Sequence, residues 1–245
     1  MSINLTELNE KKILVFAATY NEAGNISELI NSIFNHNNNV HILFIDDNSP
    51  DNTSDIIKEL KKKFNRINLI IRKEKLGLDT AHKEAYNFAL EKNFDYLITM
   101  DADLSHDPKE INNFINNLND YPFVIGSRYI KGGKCEMTGF RLFLSYFGNK
   151  FIKFVLKSKC SEFTTSYRGF NLKKLENFNL NIVENTGYSF MMCTVFELER
   201  KNFEIKEIPI TFYERSSGRS KIQKIEIFRT LKNLFLNLMK KTFYK

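Results

Sequence analysis

The amino-acid sequence predicts an α/β fold built on a central, mostly parallel sheet. Two observations carry that expectation. Short apolar runs rich in β-formers alternate with helical patterns through the first half of the chain, the rhythm of right-handed strand–helix–strand units. Polar loops bearing acids or glycine follow those runs, where open parallel sheets place their ligands.

The elements follow in order. Residues 13–18 (ILVFAA) form the first strand, and residues 25–34 carry Ile26, Leu29, Ile30 and Ile33 at helical spacing. Residues 40–46 are a second strand ending in carboxylates, and residues 53–64 a helix with Ile56, Ile57 and Leu60 inward. Strand 67–71, helix 80–92 and strand 96–100 continue the pattern. Pro108 opens a further helix, since proline suits a first helical turn, and residues 123–127 are a fifth strand. The second half reads differently. Residues 141–157 and 222–239 are amphipathic helices with many aromatic and basic side chains. Between them lie a polar segment, 162–171, a helix, 188–201, and a strand, 203–212. No repeat or linker divides the chain, so residues 1–221 are taken as one domain and 222–245 as an appended basic segment.

Composition narrows the classes of function. The 245 residues are 42% apolar with four prolines, which fits a folded domain and argues against a long disordered tract. A formal charge of +7 and a pI near 9.1 point to an anionic partner. No nucleic-acid-binding motif is visible, and the basic residues sit chiefly beside apolar helices, so nucleic acid is not expected. Cys135, Cys160 and Cys193 form no CxxC pair, which speaks against a disulfide framework or a thiolate zinc site. Residues 1–12 lack the apolar core of a signal peptide, and no run approaches the ~18 apolar residues of a spanning helix. The expectation is a cytoplasmic protein, peripheral on a membrane.

The strongest constellation is MDADLSHDP (100–108). Asp101 and Asp103 flank the small Ala102 just past a strand, and residues two apart in extended chain point the same way. Such a pair suits Mg2+ or Mn2+, which are bound by one or two carboxylates together with phosphate and water. In IDDNSPDNT (45–53), Asp47 at a strand end suits ribose or base, while residues 48–51 read as turn and helix cap. Thr19, Tyr20 and Glu22 follow the first strand and offer a stacking ring and polar groups to a nucleoside. Gly77, in KLGLDTAH (75–82), permits close backbone approach at a helix N-terminus that favours anions. Arg128, in GSRYIKGG (126–133), can fork onto phosphate oxygens. Arg141, Ser145 and Asn149 fall at i, i+4 and i+8, a polar stripe open to a ligand or to a neighbouring segment. The loop ERSSGRSK (214–221) gathers cations around a glycine and reads either as a closing loop over phosphates or as a solvated charge run. The helix after it reads either as a membrane-surface helix or as one packed on its own domain.

Together with TTSYRGF (164–170), GYSF (187–190) and EIPITF (207–212), these motifs resemble the dolichol-phosphate (polyprenyl-phosphate) mannose synthase group of family-2 glycosyltransferases. The similarity runs in order from about residue 13 to 230. The resemblance implies a GT-A (Rossmann-like) nucleotide-diphospho-sugar transferase fold, a nucleotide diphosphate sugar donor, typically GDP-mannose, and a divalent metal. It also implies a polyprenyl phosphate acceptor, met through the chain's own helices or a separate membrane-anchor subunit. By matched position, Tyr20, Glu22 and Asp47 would meet the nucleoside, and Thr19, Gly77 and Ala102 are grouped with them. Asp101 and Asp103 would hold the ion and diphosphate, with Ser105 at the place where relatives often carry a metal-assisting Gln. Arg128, Arg141, Ser145, Arg215 and Ser220 would hold the acceptor phosphate, with Lys221 on the closing loop. Asp103, Arg128, Arg141 and Lys221 form the expected catalytic set. The chain departs from the pattern at Met191 and Cys193, where relatives often have Gln and Glu, and at Ala18, where they have proline. Other readings are a same-fold transferase using UDP-glucose or a UDP-N-acetylhexosamine, and a non-catalytic nucleotide-sugar-binding subunit.

Overall fold

The computed structural model describes residues 11–214 and 232–234. In chain order these form β1 (Ile13–Thr19), α1 (Ala23–His36), β2 (His41–Asp46), α2 (Thr53–Lys63), β3 (Ile67–Ile71), α3 (Leu78–Glu91) and β4 (Tyr96–Asp101). There follow α4 (Ile111–Leu118), β5 (Phe123–Ser127), β6 (Lys134–Cys135), α5 (Gly139–Leu156), β7 (Arg168–Asn171), α6 (Tyr188–Arg200), β8 (Ile205–Pro209) and β9 (Thr211–Phe212). The main sheet has the order β3-β2-β1-β4-β7-β5-β8, and β6 pairs with β9 in a small second sheet.

Alternation along the strands sorts the core into two faces. Leu14 and Phe16 of β1 join the face covered by α3, α5 and α6, through Ala85, Leu156 and Phe196 among others. Ile13, Val15 and Ala17 join the face covered by α1, α2 and α4, through Ile30, Ile57 and Phe114. Burial on both sides explains why the parallel strands read as continuous apolar runs. Parallel register aligns the carboxyl ends: Thr19 lies beside Asp46, and Ala18 beside Asp101. The expected loops therefore gather along one edge of the sheet.

Two features differ from the sequence expectation. The segment 162–171 was expected to be polar connection, yet its end is β7, antiparallel between β4 and β5. Its four residues, Arg-Gly-Phe-Asn, show no apolar alternation, because the strand buries an arginine. A Cβ at Gly169 would lie 2.9 Å from Leu118 Cδ1 and 3.1 Å from Phe114 Cδ1, so a larger residue there would force these packed side chains to shift. The expected strand 203–212 divides at Pro209 and Ile210. β8 pairs with β5, and the chain then crosses to β6. Proline offers no N–H to extend the first ladder, while the Ile210 N–H still reaches Ser127 O at 3.1 Å.

Two histidines are sealed inside. His82 packs edge-on to Phe16 at 5.2 Å between ring centroids, and burial, reinforced by the Arg168 charge, lowers its pKa to about 3. Burial also lowers the pKa of His106 despite the nearby carboxylates. The folded protein thus binds fewer protons than the unfolded chain just below pH 6.5, so stability rises with pH there and is lost on acidification. Thermal unfolding between pH 6.5 and 5 should show this slope, up to roughly 1.4 kcal/mol per pH unit for each group. His82→Leu should flatten it by about one proton, and an unchanged slope would refute the assignment.

Candidate active site

The site is built from the ends of β1, β2, β4 and β5. At the first of these, Thr19 Oγ1 donates to Asp46 Oδ1 at 2.7 Å, and Ser49 Oγ donates to the same oxygen at 2.6 Å. Ser49 in turn accepts from Asn21 N at 3.0 Å. Thr19, expected at the nucleotide, is buried, and its hydroxyl braces this loop instead. Asp51 accepts from Thr53 N and Oγ1 at 3.1 and 2.5 Å and from Ala23 N at 3.0 Å. It therefore ties the start of α1 to that of α2, while the N-cap position of α2 is taken by Asn52, whose side chain makes no cap bond. Tyr20 is 39% exposed with Lys75 Nζ 4.0 Å from its ring centroid. Glu22 accepts from Asn25 Nδ2 at 2.7 Å.

Asp47 is not an open carboxylate. Arg72 Nε and Nη2 both engage its Oδ1, and both side chains are buried. Arg72 also donates through Nη1 to Thr80 Oγ1 at 2.7 Å and through Nη2 to Gly77 O at 3.2 Å. Gly77 has φ +99°, so its place in this loop favours glycine. One guanidinium thus joins the β2 end to the α3 N-terminus. Sequence reasoning missed Arg72, although it directly follows the apolar run of β3, one residue before the loop that was searched.

The aspartate pair sits at the end of β4. Asp101 Oδ1 accepts from Ser166 Oγ at 2.5 Å, and its side chain is 28% exposed. The Asp101 N–H donates to His106 Nδ1 at 3.0 Å. A ring nitrogen that accepts must be unprotonated, so His106 carries its proton on Nε2, facing Thr165 Oγ1 at 3.3 Å. Asp103 Oδ1 accepts from Ser105 N and Oγ at 3.1 and 2.6 Å, in a turn where Leu104 takes φ +64°. Ser105 is fully buried, with its hydroxyl proton given to Asp103. It supports that carboxylate through both its N–H and its hydroxyl. The Ala102 side chain belongs to the core, so this residue can offer a ligand only its backbone. No group of three or more His, Cys, Asp or Glu side chains forms a metal cage among the described residues. Two carboxylates alone still fit a cation that takes its remaining ligands from diphosphate and water.

Arg128, expected to fork onto phosphate, forks onto protein. Its Nε and Nη2 donate to Glu162 Oε2 and Oε1, each at 2.8 Å, and Nη2 also donates to Thr164 Oγ1 at 2.7 Å. Burial acts to raise the Glu162 pKa, but the Arg128 charge and the hydrogen bonds outweigh it and hold the carboxyl below the usual range. Ser145 Oγ accepts from Tyr129 OH at 2.7 Å. Asn149 donates to Thr164 Oγ1 at 3.2 Å and accepts from Phe163 N at 2.7 Å. Of the polar stripe on α5, Asn149 and Ser145 therefore bond within the domain, and Arg141 remains exposed. Met191 and Cys193, the departures in α6, are buried in the core. Arg215, Ser220 and Lys221 lie outside the described residues, as does most of the segment 222–245. Of that segment, Leu234 joins the core and Asn233 Nδ2 donates to Ser189 Oγ at 2.8 Å.

A mostly parallel sheet with paired aspartates at the end of β4, Asp47 after β2 and Arg128 after β5 fits a nucleotide-diphospho-sugar transferase of GT-A type. The Glycosyl transferase family 2 model matches residues 14–178. Polyprenol monophosphomannose synthase of Mycolicibacterium smegmatis is 33% identical over 215 residues, 86% of this chain and 81% of that protein. Undecaprenyl-phosphate mannosyltransferase of Micrococcus luteus is 30% identical over 212 residues, 86% and 87% of the two chains. The chain belongs to glycosyltransferase family 2. Among solved structures, glucosyl-3-phosphoglycerate synthase of Mycobacterium tuberculosis, in complex with Mn2+, UDP and phosphoglyceric acid, superposes with a TM-score of 0.68. It is 13% identical and covers 98% of this chain and 83% of its own. A mannosyltransferase of Pyrobaculum calidifontis in complex with GDP-Man and Mn2+ gives a TM-score of 0.61 at 16% identity, covering 97% of this chain and 66% of its own. These likenesses bear on the fold.

Removing Arg72 would leave Asp47 buried beside no counter-charge, a change that typically costs about 3–5 kcal/mol. Arg72→Met should lower the melting temperature by several degrees. Arg72→Met/Asp47→Leu should recover much of the loss, and equal melting points for both variants would refute the latch.

Proposed function

We propose that this chain is an inverting hexosyltransferase that moves mannose from GDP-mannose onto a polyprenyl phosphate at the cytoplasmic face of a membrane. The observation that carries this reading is the register that aligns the carboxyl ends of β1, β2, β4 and, through β7, β5, at or just beyond which Asp47, Asp101 and Arg128 lie. The named relatives, both of which act on polyprenyl phosphates, support the substrate class.

In this reading Tyr20, Glu22 and Asp47 bind the nucleoside, and Asp101 and Asp103 would hold Mg2+ or Mn2+. That ion, when bound, would offset charge on the leaving diphosphate. A phosphate oxygen of the acceptor forms a bond to the anomeric carbon as the carbon–oxygen bond to the diphosphate breaks on the opposite face. The bonding electrons leave with the nucleoside diphosphate. The acceptor oxygen is already anionic at neutral pH, so no side chain need remove a proton. What the residues must supply is alignment and relief of repulsion between two anions, the task assigned to Arg141, Arg128, Ser145 and the cations of residues 215–221.

No described helix is long and apolar enough to cross a membrane. α5 offers a surface contact instead. Phe140, Phe143, Phe147, Phe151 and Phe154 are all exposed, at 75% and 80% for the first and last. Their spacing keeps them along one side of the helix, with Arg141, Lys150 and Lys157 close by. Cys135 and Cys160 carry free thiols, which suits a reducing compartment.

Incubation with a panel of GDP- and UDP-sugars and undecaprenyl phosphate, with and without Mn2+, tests the reading. Metal-dependent mannolipid from GDP-mannose is expected, and its loss in Asp103→Ala. Glycolipid from a UDP-sugar alone would replace the donor assignment, and wild-type turnover in Asp103→Ala would remove the metal role. Membrane contact is checked by co-sedimentation with vesicles of phosphatidylglycerol and phosphatidylcholine. Phe147→Ser/Phe151→Ser should release most of the protein, and unchanged sedimentation would exclude α5.

A further inference from the structure

The segment 162–166 lies between the metal side and the acceptor side of the site, and no expected site residue falls within it. Its position follows from topology. β7 runs antiparallel between β4 and β5, so the chain must enter it at the edge where those two strands leave. Thr99 of β4 and Ile125 of β5 both lie beside Arg168, and the residues before Arg168 project past the sheet into the site. Resting on the roles proposed above for Asp101 and Arg128, we infer that this segment sets the spacing of the two half-sites. Ser166 is a positioning residue for Asp101, and Glu162 is one for Arg128.

The backbone of the segment is held from beneath. Arg168 is buried, and its Nε and Nη2 donate to Thr165 O at 2.8 Å and Phe163 O at 3.0 Å. Thr99 Oγ1 donates to Ser166 O at 2.5 Å. With its carbonyls fixed, the segment aims its side chains at the two neighbours. Ser166 gives its proton to Asp101 Oδ1 at 2.5 Å. Thr165 Oγ1 meets His106, whose other nitrogen accepts the Asp101 N–H. Asp101 is thus fixed at both backbone and carboxylate by contacts that lead back to residues 165 and 166.

On the other side, Glu162 grips Arg128 along its Nε–Nη2 edge. Its Oε1 also accepts from Thr164 N at 3.0 Å and Thr165 N at 3.2 Å. A carboxylate so enclosed is a poor base, and its effect is to fix the guanidinium plane. Arg128 Nη1 makes no hydrogen bond to a described residue and is not among the sealed, unsatisfied atoms. It is the nitrogen left to meet a phosphate. Ligand-supporting contacts of this kind typically change affinity or activity about 10–100-fold when lost.

Separate readouts test the two halves. Mn2+ binding with GDP, followed by the electron paramagnetic resonance of free Mn2+, needs no acceptor. Acceptor KM is measured with GDP-mannose and undecaprenyl phosphate in detergent micelles. Ser166→Ala should raise the Mn2+ Kd about tenfold and leave the acceptor KM within about twofold. Glu162→Gln should do the reverse. Thr164→Val, which removes only the hydroxyl beside Arg128 Nη2, should raise the acceptor KM about threefold and carries the test if Glu162→Gln fails to fold. Variants that move both parameters alike, or neither, overturn the inference. An unchanged acceptor KM in Arg128→Ala, or a wild type inactive on these substrates, would instead sink the functional reading, and the Mn2+ arm would still decide Ser166.

Discussion

The organisation of the site depends on one antiparallel strand. In a purely parallel sheet, every chain segment arriving at a strand comes from the edge opposite the ligands. β7 reverses that rule at the centre of the sheet and brings a polar segment in from the ligand side. The cost is severe locally, because Arg168 must be buried with two carbonyls for partners and Nη1 with none. Such a group is tolerated where the surrounding structure over-determines it. Here it is enclosed by β4, β5 and the core beneath α6, and in return it freezes the segment that touches both Asp101 and Arg128.

The same logic runs through the nucleoside side. Asp46, Ser49, Asp51 and Thr53 spend their hydrogen bonds on one another and on the backbone of residues 21–23. Arg72 then ties Asp47 to Gly77 across the gap between β2 and α3. Each loop is stiffened by a residue from its neighbour, so the strand ends act as a connected rim. A rim of this kind can present Tyr20 and the carboxylates with little reorganisation, the condition under which fixed dipoles and charges act most strongly.

Much of this was legible in the sequence. Strands buried on both faces write themselves as apolar runs, so β1 to β5 and the helices between them follow from pattern. Parallel register then places Thr19, Asp47 and Asp101 together without further information. What pattern could not show was β7, whose arginine, glycine and asparagine obey packing rather than alternation. Nor could pattern tell a ligand-facing polar residue from one that serves its neighbour. Thr19, Ser105 and Asn149 look like site residues by position, yet their hydrogen bonds go inward. Arg72 and Glu162 look like ordinary loop charges, and each proves to hold a residue that was expected to act alone. Those pairings join positions 25 and 34 residues apart, and no local signal announces them.

The pairings also change the electrostatic account of the reaction. Read from sequence, Arg128 was a cation able to fork onto the acceptor phosphate. In the folded chain it is matched by Glu162, as Arg72 is matched by Asp47, so each contributes a directed hydrogen-bond donor more than a net charge. Exposed Arg141 keeps its full charge, but in high dielectric an exposed group attracts weakly. Two anions brought into line therefore need positive charge from elsewhere. The electrostatic demand falls on the cation expected at Asp101 and Asp103, and on the basic residues 215–221 that complete the proposed acceptor side. With both arginines matched by carboxylates, the aspartate pair leaves this part of the site anionic, and a divalent cation held there would offset that charge before a diphosphate arrives.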